Sequence, residues 1–216
     1  GEITVIYFPD RENEGYGINE DALNFLKNKA PAILIASDCG IGNFAEVKLA
    51  KKMGFEVIII DHHEVLDELP AASIIIDPKQ KGDKYPFKGL ATAGICFKLS
   101  QMLLGDKLTE SLKKSFLELT ALATIADMMP QENENKIFIE EGLLSLANSW
   151  RPGLRVFSKM NETKNWRTIR ELSQKIISTL NTPDLKKNHL NETYLILTST
   201  SLEEEETLAK GLVKKS

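Results

Sequence analysis

Asp61, His62 and His63 follow directly on the aliphatic run "VIII", and only one other histidine, His189, occurs in the chain. A carboxylate and two imidazoles are costly to bury without partners, so their position at the end of an apolar run needs a cause. A divalent cation supplies one, and imidazole with carboxylate suits Mn²⁺, Zn²⁺ or Fe²⁺ better than Ca²⁺. Asp38 ends a second apolar run, "AILIAS", and Asp127 closes the nearly all-apolar "LATIAD". In an open α/β sheet, ligands bind beyond the carboxyl ends of the strands. If the first two runs are neighbouring strands, their ends lie about 4.8 Å apart. Asp38 and the histidines then reach the same ion or ion pair. Two ions about 3.5–4 Å apart are the usual arrangement for phosphate-ester hydrolysis, because they activate water and neutralise phosphoryl oxygens together. An unpaired Asp127 buried at its helix end would cost several kcal/mol, roughly the penalty that a metal removes.

Each residue also has a plainer reading. Asp38 could cap the helix after "CGIGN", the histidines could be solvated loop residues, and Asp127 could pair with a lysine. His189, in the polar "KKNHLNE", reads as a surface residue. The convergence of three separate acid sites on one sheet edge favours the metal.

The elements that must position these residues are legible. Val5 to Phe8 reads as a strand, and Asn19 as the cap of a helix over "EDALNFLKNK". "AILIAS" reads as a strand covered on both faces, "FAEVKLAKKMG" as a helix with Phe44, Val47 and Leu49-Ala50 inward and Gly54 at its end, and "EVIIID" and "ASIIID" as further strands. Alternation of strand and helix predicts an α/β fold with a parallel sheet. From Gly89 the chain becomes helical through "GLATAGICFKLSQMLL", "LTESLKKSFLELTALATIADMM" and "IFIEEGLLSLANS". After "RPG" come a helix around Trp166 to Leu180, a strand "TYLILT" and an acidic helix start, "SLEEEETLAKGLVKK".

Composition sets the outer limits. The 216 residues carry 27 Lys+Arg against 31 Asp+Glu, a formal charge of −4, so no global basic field marks a nucleic-acid partner. Cys39 and Cys96 form neither a disulfide framework nor a cysteine zinc site, which suits a reducing cytoplasm. The apolar runs are strand-sized, and the opening "GEITVIYF" reads as a piece of a longer chain.

"IDHH" after a buried strand resembles the defining motif of the DHH phosphoesterase superfamily, in particular its RecJ-type single-strand-specific exonuclease branch. "YFPDRENEGYGIN", "LIASDCGIGN", "VIIIDHHEV", "IIIDPKQKGDKYPFKGLATAGICFKL", "TALATIADMMP", "NKIFIEEGLL" and "RPGL" stand in that branch's order, spanning about residues 5 to 155. The resemblance implies a DHH domain over 1–200 and the start of an inter-lobe linker helix over 201–216. It implies two Mn²⁺ or Mg²⁺ ions, bridged by Asp38, with His62 and Asp127 completing the shell of one. It implies that His63 faces the scissile phosphate and that Asp61 holds His62 by hydrogen bond. Arg11, Gly94, Lys88 and Lys79 become candidate contacts to the nucleic-acid backbone. Single-stranded DNA is the implied substrate, with a single-strand-binding protein or helicase as protein partner.

The sequence departs from the branch at two places. An acidic "DxD"-type strand end that supplies further metal ligands is expected upstream of "GEITVIYF", and the branch's glycine- and arginine-rich DNA-binding segment is replaced by "IISTLNTPDL" at 176–185. Two other readings follow. One keeps the chemistry and changes the substrate to short oligoribonucleotides, cyclic dinucleotides or pyrophosphate. The other is a catalytically degenerate scaffold in a replication or repair complex.

Overall fold

The computed structural model describes residues 4–10, 13–66, 68–146, 148–156, 169–181 and 189–198. They divide into two compact units, residues 1–96 and 97–216. Arg11, Trp166 and the "SLEEEETLAKGLVKK" segment lie outside the described residues.

The first unit is the expected parallel sheet. Its strands are β1 (Ala32–Ser37), β2 (Phe55–Ile60) and β3 (Ile74–Ile76), hydrogen-bonded in the order β1-β2-β3. The register runs from Ala32↔Phe55 to Ser37↔Ile60, and from Ile58↔Ile74 to Ile60↔Ile76. Helix α1 (Glu20–Leu26) starts where Asn19 accepts a hydrogen bond from Ala22 N at 2.7 Å. Helix α2 (Phe44–Lys52) ends with Gly54 at φ 96, the left-handed turn expected of a glycine there. Leu23 and Leu26 of α1 and Val47 and Ala50 of α2 pack on one sheet face, formed by Ala36, Phe55, Val57 and Ile59.

Two expectations need correcting here. β1 is not covered on both faces: Ile33 and Ile35 are 61% and 58% exposed, and Ile74 on the same side of the sheet is 48% exposed. Side chains alternate along a strand, so α1 and α2 cover only every second residue. Val5 to Phe8 is not a strand, since it joins no ladder among the described residues. The segment is held by side chains instead. The Tyr7 hydroxyl donates to Glu14 at 2.7 Å, and the Tyr7 ring lies 5.2 Å from that of Phe25 on α1.

Helix α3 (Thr92–Leu104) begins in the first unit and leads into the second, which is helical throughout its described elements. They include α4 (Glu110–Ala126), α5 (Asn133–Leu146), α6 (Ile169–Leu180) and α7 (His189–Thr198). α4 is the expected central helix, with Leu117, Ala121 and Thr124 buried. Gly142 lets α5 approach closely, because a Cβ there would overlap the Leu117 carbonyl and Ala121 Cβ.

The predicted strand "TYLILT" is the second half of α7. A short apolar run fits a buried helix as well as a strand, and packing decides between them. Ile196 is fully buried in a cluster with Leu122, Leu146, Leu154, Ile176 and Leu180, and Thr193 Oγ1 donates to Leu180 O at 2.8 Å. No helix among the described residues is long and apolar enough to cross a membrane.

Candidate metal centre

The β1–β2 ladder runs to the last residue of each strand and one step beyond, where Asp38 N donates to Ile60 O at 2.9 Å. Asp38 therefore leaves the sheet beside the Asp61-His62-His63 triplet. It does so at φ 64, a left-handed conformation that costs a non-glycine residue on the order of 1 kcal/mol or more and is over-represented at functional sites. Gly40, at φ 110, brings the loop back over the strand ends. A Cβ there would lie 3.2 Å from both Ala36 Cβ and Ile59 Cγ1.

The side-chain alternation of β2 carries past Ile60 and separates the two histidines. Asp61 meets His63, two residues on, with Oδ1 2.7 Å from His63 Nδ1. His62 turns to Asp38, its Nε2 3.5 Å from Asp38 Oδ1. The His62 side chain is buried, whereas those of Asp38 and His63 are 60% and 56% exposed. One ligand atom from each of Asp38, His62 and His63 lies within 4.8 Å of the others. Such a set, one carboxylate and two imidazoles open to solvent on one side, suits Mn²⁺ and similar borderline cations and leaves coordination positions for water and substrate.

Asp61 lies beneath this set and is fully buried. Besides the His63 ring, it accepts the backbone N–H of Ile41 at 3.1 Å, of His62 at 2.8 Å and of His63 at 3.4 Å. Burial alone would push its carboxyl up, but the His63 hydrogen bond and the N–H groups of Ile41 and His62 hold it below the ordinary carboxylate range. The expected Asp61–His62 ring bond is therefore replaced by an Asp61–His63 ring bond. The reason is the two-residue period of the chain: residues 61 and 63 share a side, and residue 62 does not.

The other candidates fare differently. Asp127 caps the end of α4, its N–H bonded to Ala123 O at 2.9 Å, and it is exposed, as are Ala126 and Met128. The expected burial penalty there does not exist, because α4 emerges from its packing just before its last residues. Lys88 Nζ is engaged by Asp83, at 2.9 Å from its carbonyl and 2.8 Å from its carboxylate, and Lys79 Nζ lies 2.8 Å from Glu64. Gly94 is buried in the first turn of α3. Cys39 sits near the centre but is no thiolate: burial, with Asp61 and Asp38 adding, pushes its thiol up to about 11.

One residue was missed. Asp77 ends β3 as Asp61 ends β2, and it is only 1% exposed. The repeated pattern "IIID", in "VIIID" and "SIIID", was the available signal.

The family model described as "DHH family, N-terminal domain" matches residues 3–124. The chain belongs to the DHH family. The single-stranded-DNA-specific exonuclease RecJ of Bacillus subtilis (strain 168) is 43% identical over 155 residues, covering 72% of this chain and 19% of that protein. RecJ of Salmonella typhimurium is 32% identical over 164 residues, covering 71% of this chain and 28% of that protein. A crystal structure of exonuclease RecJ bound to manganese superposes with a TM-score of 0.76 at 26% identity, over 96% of this chain and 51% of the other. The chain thus spans only 19% and 28% of the length of these two curated relatives.

Proposed function

We propose that the full-length protein is a metal-dependent phosphodiesterase of the RecJ type, removing nucleotides from single-stranded DNA in the 5′ to 3′ direction. The observation that carries this reading is the cluster of Asp38, His62 and His63 at adjacent parallel strand ends in a DHH-family chain. RecJ relatives, including one crystallised with manganese, support the substrate and the metal, Mn²⁺ or Mg²⁺. Bound there, two such ions would activate a water and neutralise the phosphoryl oxygens.

The chain's own residues divide the remaining work. Asp38, exposed at its strand end, and His62 would hold the metal, and the family resemblance adds Asp127 to the residues that would hold it. His63, with Nδ1 held by Asp61, keeps Nε2 for the scissile phosphate, where an N–H donor or a cation stabilises the developing charge. Arg11, Gly94 and Lys88 would contact the nucleic-acid backbone, Lys88 by exchanging Asp83 for a phosphate. Residues 1–200 form the DHH region and 201–216 enter the linker to a second lobe. Such an enzyme acts in the cytoplasm in DNA repair and recombination, alongside a single-strand-binding protein or helicase.

The test compares Mn²⁺-dependent cleavage by the full-length protein of 5′- and 3′-labelled single-stranded DNA, short RNA and cyclic dinucleotides. Preferred loss of nucleotides from the 5′ end of DNA is expected. Preference for RNA or cyclic dinucleotides moves the protein to another branch of the family, and inertness towards all of them makes it a scaffold.

A further inference from the structure

Beyond β3 the chain runs through "PKQKGDKYPFKG" at 78–89, with four lysines against one aspartate, a formal +3 in a chain whose overall charge is −4. Exposed lysines commonly do no more than keep a protein soluble, so the run matters only through its place and its partners. Both point to an anionic ligand.

The sheet sets its place. Ile60 pairs with Ile76, and Asp61 N donates to Ile76 O at 3.0 Å, so the chain leaves β3 beside the Asp61-His62-His63 triplet. Lys79 Nζ then reaches back to Glu64 Oε1 at 2.8 Å, and Glu64 follows His63 directly. An ion pair so open to water contributes little stability, but it joins the loop to the residue next to the metal centre. The loop itself is built of turns. Asp77 Oδ1 accepts the Lys79 N–H at 2.8 Å, and the Gln80 side-chain amide donates to Ile75 O at 3.1 Å. Asp83 N donates to Gln80 O at 3.1 Å, and Asp83 Oδ1 accepts the Tyr85 N–H at 2.8 Å, with Gly82 turning the chain at φ 85. Fixing where each lysine leaves the chain lowers the ordering cost of binding.

The four lysines differ in what they hold. Lys79 is paired with Glu64, and Lys88 donates to the carbonyl and the carboxylate of Asp83. Lys81 and Lys84 are exposed and form no ion pair among the described residues. The one acid between them, Asp83, is already taken up by Lys88 and the Tyr85 N–H. Two cations therefore stand at the sheet edge that carries the metal centre, and a polyanion can meet them without breaking an existing pair.

We propose that Lys81 and Lys84 form a cationic track beside the metal centre, holding phosphates further along the nucleic-acid strand from the scissile one. This rests on the phosphodiesterase reading above and gives the strand a path, out over the β3 edge of the sheet. Contacts of this kind grip the backbone without reading base sequence.

The experiment measures binding of a fluorescein-labelled oligodeoxythymidylate to the full-length protein in EDTA, where metal-dependent cleavage is silent, at salt from about 50 to 200 mM. Wild type is compared with Lys81→Gln, Lys84→Gln, the double Gln variant, the double Arg variant and Lys52→Gln. Lys52 ends α2 just before β2 begins, so it stands at the opposite edge of the sheet, where the strands start. Each single track variant should make the slope of log K against log salt shallower by about 0.7, the share of one phosphate contact on a single strand, and the double Gln variant by about 1.4. The double Arg variant and Lys52→Gln should keep the wild-type slope, because the first retains both charges and the second lies off the track. A wild-type slope in the double Gln variant overturns the proposal. So does an equal change in Lys52→Gln, which makes the effect one of net charge alone, or a slope lost in the double Arg variant. Absence of wild-type binding in EDTA overturns it as well, since these cations need no metal to attract a strand. Failure of the wild-type protein to cleave DNA with Mn²⁺ removes the phosphodiesterase reading and this proposal together, whereas cleavage with a slope unmoved in the double Gln variant removes only the track.

Discussion

Two polar clusters among the described residues are of opposite character. In the first unit, Asp38 and His63 are more than half exposed, and their ligand atoms converge with that of His62 on one point. In the second, Glu118 is 1% exposed and each carboxylate oxygen accepts a serine hydroxyl, Ser145 and Ser149, at 2.6 Å. Arg151 completes that second cluster. Burial lowers its pKa and Glu118 offsets the effect, while Nη1 donates to Leu197 O on α7 at 2.6 Å. A carboxylate whose acceptors are filled internally holds helices together and has little left for a ligand. A carboxylate and imidazoles gathered at a solvent-open strand end are what a cation needs. The difference therefore separates a structural network from a functional one.

Substitutions can break this contrast at either end. The largest effect is expected from His62→Ala: in the full-length protein Mn²⁺ binding falls by at least about a hundredfold and DNA hydrolysis is lost, with melting little changed. Turnover like that of wild type in this variant would sink the metal assignment. Glu118→Ala should do the reverse. It strands two serine hydroxyls and Arg151, costing about 3 kcal/mol in urea unfolding, and leaves Mn²⁺ affinity where it was. A loss of affinity without a loss of stability would show that the two clusters are not separate in task.

Gly142→Ala tests the closeness of α4 and α5 that aligns Ser145 and Ser149 with Glu118. Its Cβ meets the Leu117 carbonyl, so a cost of about 1–3 kcal/mol in thermal melting is expected. No change would mean that the helices part easily. The smallest effect concerns pH and sharpens the first cluster. Asp61 has a depressed folded pKa, so it contributes stability that is present above its unfolded value, about 3.9, and is lost as pH falls through the folded one. Asp61→Asn should flatten the acid limb of the unfolding free energy below about pH 4. Asp77, with its raised pKa, has the opposite sign: its contribution is present below about pH 3.9 and is lost as pH rises through the folded value. An unchanged acid limb in the Asp61 variant would show that the hydrogen bonds to Asp61 do not favour its charged form.

Much of this was legible because the chemistry is local. The cap at Asn19, the glycine turn at Gly54 and the apolar runs of β1, β2 and β3 each depend on a few neighbouring residues. The pairing of Asp38 with the histidines followed from two strands expected to be neighbours. What misled was context. "TYLILT" is apolar enough for a strand or a buried helix, and only its packing around Ile196 chose the helix. Val5 to Phe8 has a strand's composition but no ladder, and Asp127 ends an apolar helix yet lies outside its packed part.

By itself the sequence determined the parallel α/β order, the DHH motif and the residue types that can hold a cation, because composition, periodicity and strand-end placement are properties of short segments. Only the tertiary structure decided which histidine Asp61 serves. Asp61 reaches His63 because they are two residues apart on one side of the chain, and Asp77 joins them because the β2–β3 ladder sets it level with Asp61. Such partnerships depend on register and side-chain direction, and both are settled by pairing between segments far apart in the chain.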